Sequence, residues 1–271
     1  MEFSGQTALV TGASTGIGAV FAEQLAARGA NLILVARSVD KLQALGTRIV
    51  AAHGVRVDVL PMDLAQPGAG QDLVGRVAAL GRTVDVLVNN AGFATHGDVR
   101  HADPARLLDQ VQVNCAAVVD LTTRFLPAMT ARRSGAIINV ASTAAFQPVS
   151  HMAVYAATKA FVLSFTEALW GETRPSGVKA IAICPGSTDT PFFDIAGEEA
   201  SFGKQRTPQQ VVATTLRGLE QGRPSIVDGG MNAMLASFQR FLPHRAVLSI
   251  AERSVRPSAP TGRVAARTTT A

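Results

Sequence analysis

Short apolar runs recur along the chain, separated by stretches of helical period. Residues 6–11 (QTALVT), 31–36 (NLILVA), 55–60 (VRVDVL), 84–88 (VDVLV), 136–141 (AIINVA), 178–184 (VKAIAIC) and 225–227 (SIV) read as strands. Several are apolar at nearly every position, as in strands buried on both faces. Residues 19–28, 41–53, 71–80, 104–127, 153–173 and 208–221 carry helical patterns between them. Strands alternating with helices, without internal repeats or a Pro/Gly-rich break, predict an α/β fold. The expected architecture is a single Rossmann-type doubly wound parallel sheet of about seven strands with helices on both faces. One domain is expected over residues 1–252, with a helical extension at 231–252 and a disordered basic tail at 253–271.

Composition narrows the picture. With 47% apolar residues and 24 glycines, the chain can bury a full core. Four of the five net positive charges fall on Arg253, Arg256, Arg263 and Arg267, in a tail without acids, which leaves residues 1–252 nearly neutral. The high pI is therefore no argument for a nucleic-acid-binding face, and no nucleic-acid partner is expected. Cys115 and Cys184 lack C-x-x-C spacing and read as buried free thiols, with no metal site. No basic signal segment and no apolar run long enough to span a bilayer is visible. A soluble cytoplasmic protein is expected.

The strand ends carry the candidate chemistry. After the first strand comes Gly12-Ala13-Ser14-Thr15-Gly16-Ile17-Gly18 and then a helix, a geometry that presents backbone N–H groups to a phosphate. A Lys-Ser/Thr pair is absent, so this is no P-loop. After the second strand stand Arg37 and Ser38, where an acid would bind an NAD ribose; a guanidinium and a hydroxyl suit a 2′-phosphate. A solvated surface role for Arg37 is the alternative. Asp63 and Leu64 follow the third strand, and Asn90, Ala91 and Gly92 the fourth. Asn114 is an odd residue inside a helix. Ser142 ends the fifth strand, and Pro185, Gly186, Thr188 and Thr190 follow the sixth. Tyr155, the only tyrosine, precedes Lys159 by one helical turn. A neighbouring cation lowers a phenol's pKa and suits it to proton exchange. The alternative is a core tyrosine beside a lysine that snorkels to solvent.

Taken together, Thr11 to Gly18, Asn89-Asn90-Ala91-Gly92, Asn114, Ser142, Tyr155-x-x-x-Lys159 and Pro185-Gly186 resemble the short-chain dehydrogenase/reductase family. They occur in the family's order and span residues 6 to about 230. The resemblance implies an oxidoreductase that transfers a hydride between NADP(H) and a carbonyl or secondary alcohol. Tyr155 would exchange the proton, and Lys159 would lower its pKa and bind the nicotinamide ribose. Ser142 would hydrogen-bond the substrate oxygen, and Asn114 would hold a relay water. Asp63 is expected at the adenine, Asn90 near the adenosine ribose, and Thr188 and Thr190 at the nicotinamide carboxamide and phosphate. NADP(H) is preferred over NAD(H) on the strength of Arg37 and Ser38, although Thr15 stands where NADP users often have a basic residue. An NAD-linked alcohol dehydrogenase and a non-catalytic dinucleotide-binding sensor or scaffold are the alternatives.

Two segments depart from the family or vary within it. Met231, Met234/Leu235, Phe238 and Phe241/Leu242 form a stripe at helical spacing, read as core or dimer packing, or as a lid or membrane-surface helix. By the same resemblance, residues 187–206 are expected to occupy the family's variable substrate loop. Phe192, Phe193, Ile195 and Phe202 suggest a lipophilic cover, with Phe93, Phe146 and Met152 as pocket walls. A homodimer or homotetramer is expected through 104–127 and 153–173.

Overall fold

The computed structural model describes residues 2–192, 205–238 and 243–254. Seven parallel strands form one sheet in the order β3-β2-β1-β4-β5-β6-β7. They are β1 (Thr7–Thr11), β2 (Asn31–Ala36), β3 (Val57–Pro61), β4 (Val86–Asn89), β5 (Gly135–Val140), β6 (Val178–Cys184) and β7 (Ser225–Val227). The chain builds outward from β1 to β3, then returns to lay β4 on the other side of β1. That reversal opens a crevice above the C-terminal ends of β1 and β4, where such sheets hold ligands.

Parallel strands need crossovers, and the apolar stripes of the connecting helices decide which face each covers. One face packs Phe21 and Leu25 of α1 (Gly16–Ala26) and Leu42 and Ile49 of α2 (Val39–His53). It also takes Val211 and Leu216 of α7 (Pro208–Glu220). The other takes Leu73 and Val77 of α3 (Ala69–Ala79), Leu121 and Phe125 of α5 (Ala117–Ala131) and Leu169 of α6 (Ala153–Thr173). Each fully buried leucine or isoleucine between these layers contributes about 1.5–3 kcal/mol. A polar ladder crosses the second layer. Asn89 Nδ2 donates to Asn139 Oδ1 (2.9 Å) and to Thr122 Oγ1 (3.2 Å), while Asn139 Nδ2 donates to Thr166 Oγ1 (2.8 Å). Paired in register on β4 and β5, these amides tie α5 and α6 to the sheet directly below the crevice.

The structure corrects two expectations. Residues 104–127 are not one regular helix: α4 (Pro104–Val111) passes into a π-helical turn, Gln112–Ala116, before α5 runs on through Pro127 to Ala131. The wide turn falls on Asn114, whose side chain is drawn to the neighbouring loop. At the C-terminal side, the helical extension expected at 231–252 takes the form of two helices, α8 (Gly230–Phe238) and α9 (His244–Ser254), the second ending two residues into the expected tail. The core-packing reading of the stripe fails as well. Met231, Met234, Leu235 and Phe238 are 52–66% exposed. Residues 239–242, with Phe241 and Leu242, lie outside the described residues. So does the expected tail from residue 255 onward.

Candidate active site

A cavity of about 720 Å³ runs along the crevice, from the glycine turn and Arg37 past Ser142, Tyr155 and Lys159 to α8 and α9. Its volume lies within the usual range for ligand sites.

The glycine turn forms one end. Gly12 (φ +63°) and Gly16 (φ +58°) adopt the left-handed conformation that favours glycine. A Cβ on Gly12 would stand 2.8 Å from Asn90 Nδ2, and one on Gly18 would collide with the Gly12 carbonyl. Asn90 is committed to this turn, since its Nδ2 donates to the carbonyls of Thr11 (2.9 Å) and Gly12 (3.2 Å). Asn90 thus braces the turn while it lines the same cavity, at the edge where the sequence places it. Thr15 precedes α1 without a side-chain cap, so the helix's first N–H groups are left for a ligand. Ser14, Thr15, Gly16 and Ile17 all line the cavity there.

Ala13 N donates to Val35 O (3.2 Å), which draws the turn against the end of β2. Arg37 and Ser38 follow at the cavity rim, joined by Lys41. Sequence reasoning missed Lys41, although its place one helical turn beyond Arg37 was the available signal. Asp40 does not line the cavity. Asp63 accepts from Ala65 N (3.0 Å) in a tight local turn, with Leu64 buried beside it. Two cations and a hydroxyl at this end, with no cavity-lining acid before Asp63, fit a dinucleotide that carries an extra phosphate.

Pro185 O accepts from Thr143 N (2.8 Å), and Gly186 lies against Asn232 of α8, where a Cβ would come within 2.5 Å of Nδ2. Thr188 Oγ1 donates to Gly186 O (3.0 Å) and Thr190 Oγ1 to Thr188 O (3.3 Å), while the Thr190 methyl faces Gly16. Thr188 also bridges to Arg206 across the base of the variable loop. Arg206 donates twice to the fully buried Asp228 carboxylate (2.5 and 3.1 Å), which also accepts from Thr214 Oγ1 (2.7 Å).

The reactive groups converge at the centre. Ser142 Oγ accepts from Ala144 N (3.1 Å) and shares the cavity wall with the Tyr155 phenol. Lys159 Nζ donates to Val140 O (2.7 Å) and lies 5.7 Å from the centre of the Tyr155 ring. Asn114 Nδ2 donates to Phe93 O (3.0 Å) and Thr158 Oγ1 (3.0 Å), and its Oδ1 accepts from Phe93 N (3.1 Å). Thr158 Oγ1 in turn donates to Tyr155 O (2.8 Å), which fixes the start of α6. Ala91 and Gly92 floor this region. Burial pushes the Tyr155 phenol up to about 12, against which the nearby Ser142 hydroxyl pulls it down. Burial likewise brings Lys159 down to about 8. The expectation that Lys159 lowers the phenol's pKa is not what this geometry gives, because desolvation outweighs every other influence on both groups.

Phe93, Met152 and Phe192 line the substrate side, with the Phe192 ring 5.7 Å from that of Tyr155. Phe146 packs behind the wall, against the Val162 and Leu163 cluster, and does not line it. Phe193, Ile195 and Phe202 lie outside the described residues. Leu235, Phe238 and Ile250 extend the apolar lining, so α9 supplies a wall that sequence reasoning did not name. Cys115 and Cys184 are free thiols. Among the described residues no group of three or more His, Cys, Asp or Glu stands together as a metal site, and no helix is long and apolar enough to cross a membrane.

A parallel sheet with a glycine turn at its switch point, opening onto a buried Ser–Tyr–Lys cluster, defines the scaffold of a dinucleotide-dependent oxidoreductase. The chain belongs to the short-chain dehydrogenase family, which it matches over residues 6–200. It is 38% identical over 189 residues to the granaticin polyketide synthase putative ketoacyl reductase 1 of Streptomyces violaceoruber, covering 69% of each chain. It is 36% identical over 219 residues to a very-long-chain 3-oxoacyl-CoA reductase of Phaeosphaeria nodorum. That match covers 79% of this chain and 63% of the relative, less than two thirds of the relative's length. Its structure superposes on a short-chain dehydrogenase from Sphingobium yanoikuyae in complex with NADPH, with a TM-score of 0.78 and 32% identity. This superposition covers 87% of this chain and 94% of the other.

Proposed function

We propose that the protein is an NADP(H)-dependent carbonyl reductase or secondary-alcohol dehydrogenase with Tyr155 as its general acid/base. The observation that carries this reading is the convergence of Ser142, Tyr155 and, one helical turn along, the buried Lys159 on the wall of the cavity that begins at the glycine turn. NADP(H) bound along that turn supplies the hydride. Gly12, Gly16 and Gly18 let backbone approach its phosphates, and Arg37, Ser38 and Lys41 hold the 2′-phosphate. The names of the two ketoacyl reductase relatives and the NADPH complex support the carbonyl and cofactor assignments.

In the reductive direction Tyr155 donates its proton to the substrate oxygen, which Ser142 positions by hydrogen bonding. The high pKa of the phenol keeps that proton in place throughout the neutral range. Lys159 holds positive charge beside the forming alkoxide and passes a proton back. Gly92 leaves the space for that transfer: a Cβ there would meet Asn114 Oδ1 at 2.9 Å and Lys159 Nζ at 3.5 Å. A water over Gly92 can therefore bridge the second lone pair of Asn114 Oδ1 to the ammonium. The apolar walls of Phe93, Met152, Phe192 and Leu235 favour a lipophilic ketone. Exposed Leu108 and Val111 on α4 and Phe161 on α6 support a homodimer or homotetramer through these helices, as a cytoplasmic enzyme. The test is a side-by-side titration with NADPH and NADH, followed by a screen of lipophilic ketones. Binding of neither nucleotide sinks the reading.

A further inference from the structure

Resting on the reductase reading of this cavity, we propose that Arg106 makes its substrate half an anion-recognition site. The ketone it accepts would then carry a carboxylate or phosphate away from the reacting carbon. Arg106, Asp109 and Val113 stand at i, i+3 and i+7 on the inward face of α4 and its π turn, and all three line the cavity. The Arg106 guanidinium lies 3.8 Å from the centre of the Phe93 ring. Phe93 directly follows Gly92, and its N–H and C=O are both bonded to Asn114, so this cation sits beside the reactive cluster. The next residues of the loop confirm the side of the cavity. Ala94 packs with Val149, Met152 and Tyr155, and Gly97 N donates to His151 O at 2.7 Å.

Arg106 is half-buried, and among the described residues no carboxylate reaches it within ion-pair distance. Other arginines of the fold differ in this respect: Arg76, Arg82, Arg124 and Arg132 each reach an aspartate. Asp109 is exposed and is not paired with it. The stacking on Phe93 holds the guanidinium in place without neutralising its charge. A fixed, partly desolvated guanidinium with its donors unspent matches carboxylate and phosphate geometry. Gln147 adds a second polar handle among the cavity-lining residues, for its buried Oε1 has no donor. An amphipathic ketone follows: apolar body against Phe93, Met152 and Phe192, anion on Arg106.

The anion has two chemical sources, and paired ligands separate them. A medium-chain keto acid is compared with its methyl ester, and a 3-oxoacyl coenzyme A thioester with the corresponding N-acetylcysteamine thioester. NADPH consumption gives kcat/KM, and calorimetry on the NADPH complex gives ligand affinity independently of turnover. The expected result is at least a 10-fold preference for the charged member of one pair. In R106Q that ratio collapses toward one, and R106K restores part of it. Loss of the ratio in the acid pair identifies a carboxylate, and in the thioester pair a phosphate. Equal affinity of wild type for charged and neutral members would overturn the proposal, as would an R106Q loss shared equally by both. A raised Kd for NADPH alone in R106Q would place the guanidinium on the cofactor and also overturn it. Charge-selective binding without turnover supports the anion site and instead faults the reductase reading.

Discussion

The Lys159 ammonium donates to the Val140 carbonyl at 2.7 Å, which buries a charge against the last residue of β5, two positions before Ser142. Its burial cost is visible in a pKa brought down to about 8. The folded value lies below the ordinary 10.5, so between the two the unfolded chain binds more protons. The Lys159 contribution to stability then rises with pH from about 8 to 10.5, and below pH 8 this group contributes no slope. The full effect is about 3 kcal/mol, at 1.36 kcal/mol for each pH unit between the two values. The difference in urea-unfolding stability between wild type and K159M should carry this slope, since the opposing slopes of Cys184 and Tyr155, whose folded values burial pushes up, are present in both.

Catalysis should respond to the same groups with the opposite sense. Reduction needs a protonated Tyr155 and a charged Lys159, so its kcat/KM should be flat near neutrality and fall above pH about 8. Oxidation needs the phenolate, whose pKa is pushed up to about 12, so it should be slow at pH 7 and climb with pH. Tyr155→Phe should cost both directions about 10²–10⁴-fold while leaving NADPH affinity nearly intact. A Phe variant with wild-type turnover would remove the phenol from the mechanism.

Arg37 and Lys41 stand together at the nucleotide end of the cavity. Replacing either by alanine removes one charge-assisted contact of about 1.5–3 kcal/mol. Fluorescence titration should find NADPH bound roughly 10- to 100-fold more weakly, with NADH affinity little changed. Equal losses for the two nucleotides would show that neither side chain reads the 2′-phosphate.

Asp228→Asn leaves Arg206 without its counter-charge and Thr214 with a poorer acceptor. Because the Arg206 side chain is 30% exposed, water screens part of the loss, and about 2–3 kcal/mol of destabilisation is expected. Chemical denaturation measures this directly. The D228N/R206M pair should recover part of it, because no partner is then left orphaned; an unimproved double variant would show that the ion pair was not the source.

Much of the fold was legible because strands apolar at nearly every position fit only a sheet covered on both faces. The glycine turn was legible because Gly12, Gly16 and Gly18 are demanded by backbone geometry, and Tyr155 to Lys159 because helical spacing places them together. Asn114 drew notice as a poor mid-helix residue, yet a π turn has no pattern of its own, since its cause lies in Phe93, 21 residues away. The Tyr155 pKa ran opposite to expectation because spacing reveals a neighbouring cation but not how dry the site is. Asn90 was placed at the right edge, but its bonds to the Thr11 and Gly12 carbonyls were not legible, because a strand-end amide can turn toward backbone as readily as toward a ligand. Arg106 and Lys41 look like ordinary surface charges in sequence, and only packing brings them to the cavity.

The Thr188–Arg206 bridge and the Asp228 anchor fasten both ends of the variable segment to the scaffold, independently of what lies between. Both feet of this segment are thus held at the edge of the sheet, next to the end of β6 and the end of β7, by contacts that involve none of the residues between Phe192 and Gln205.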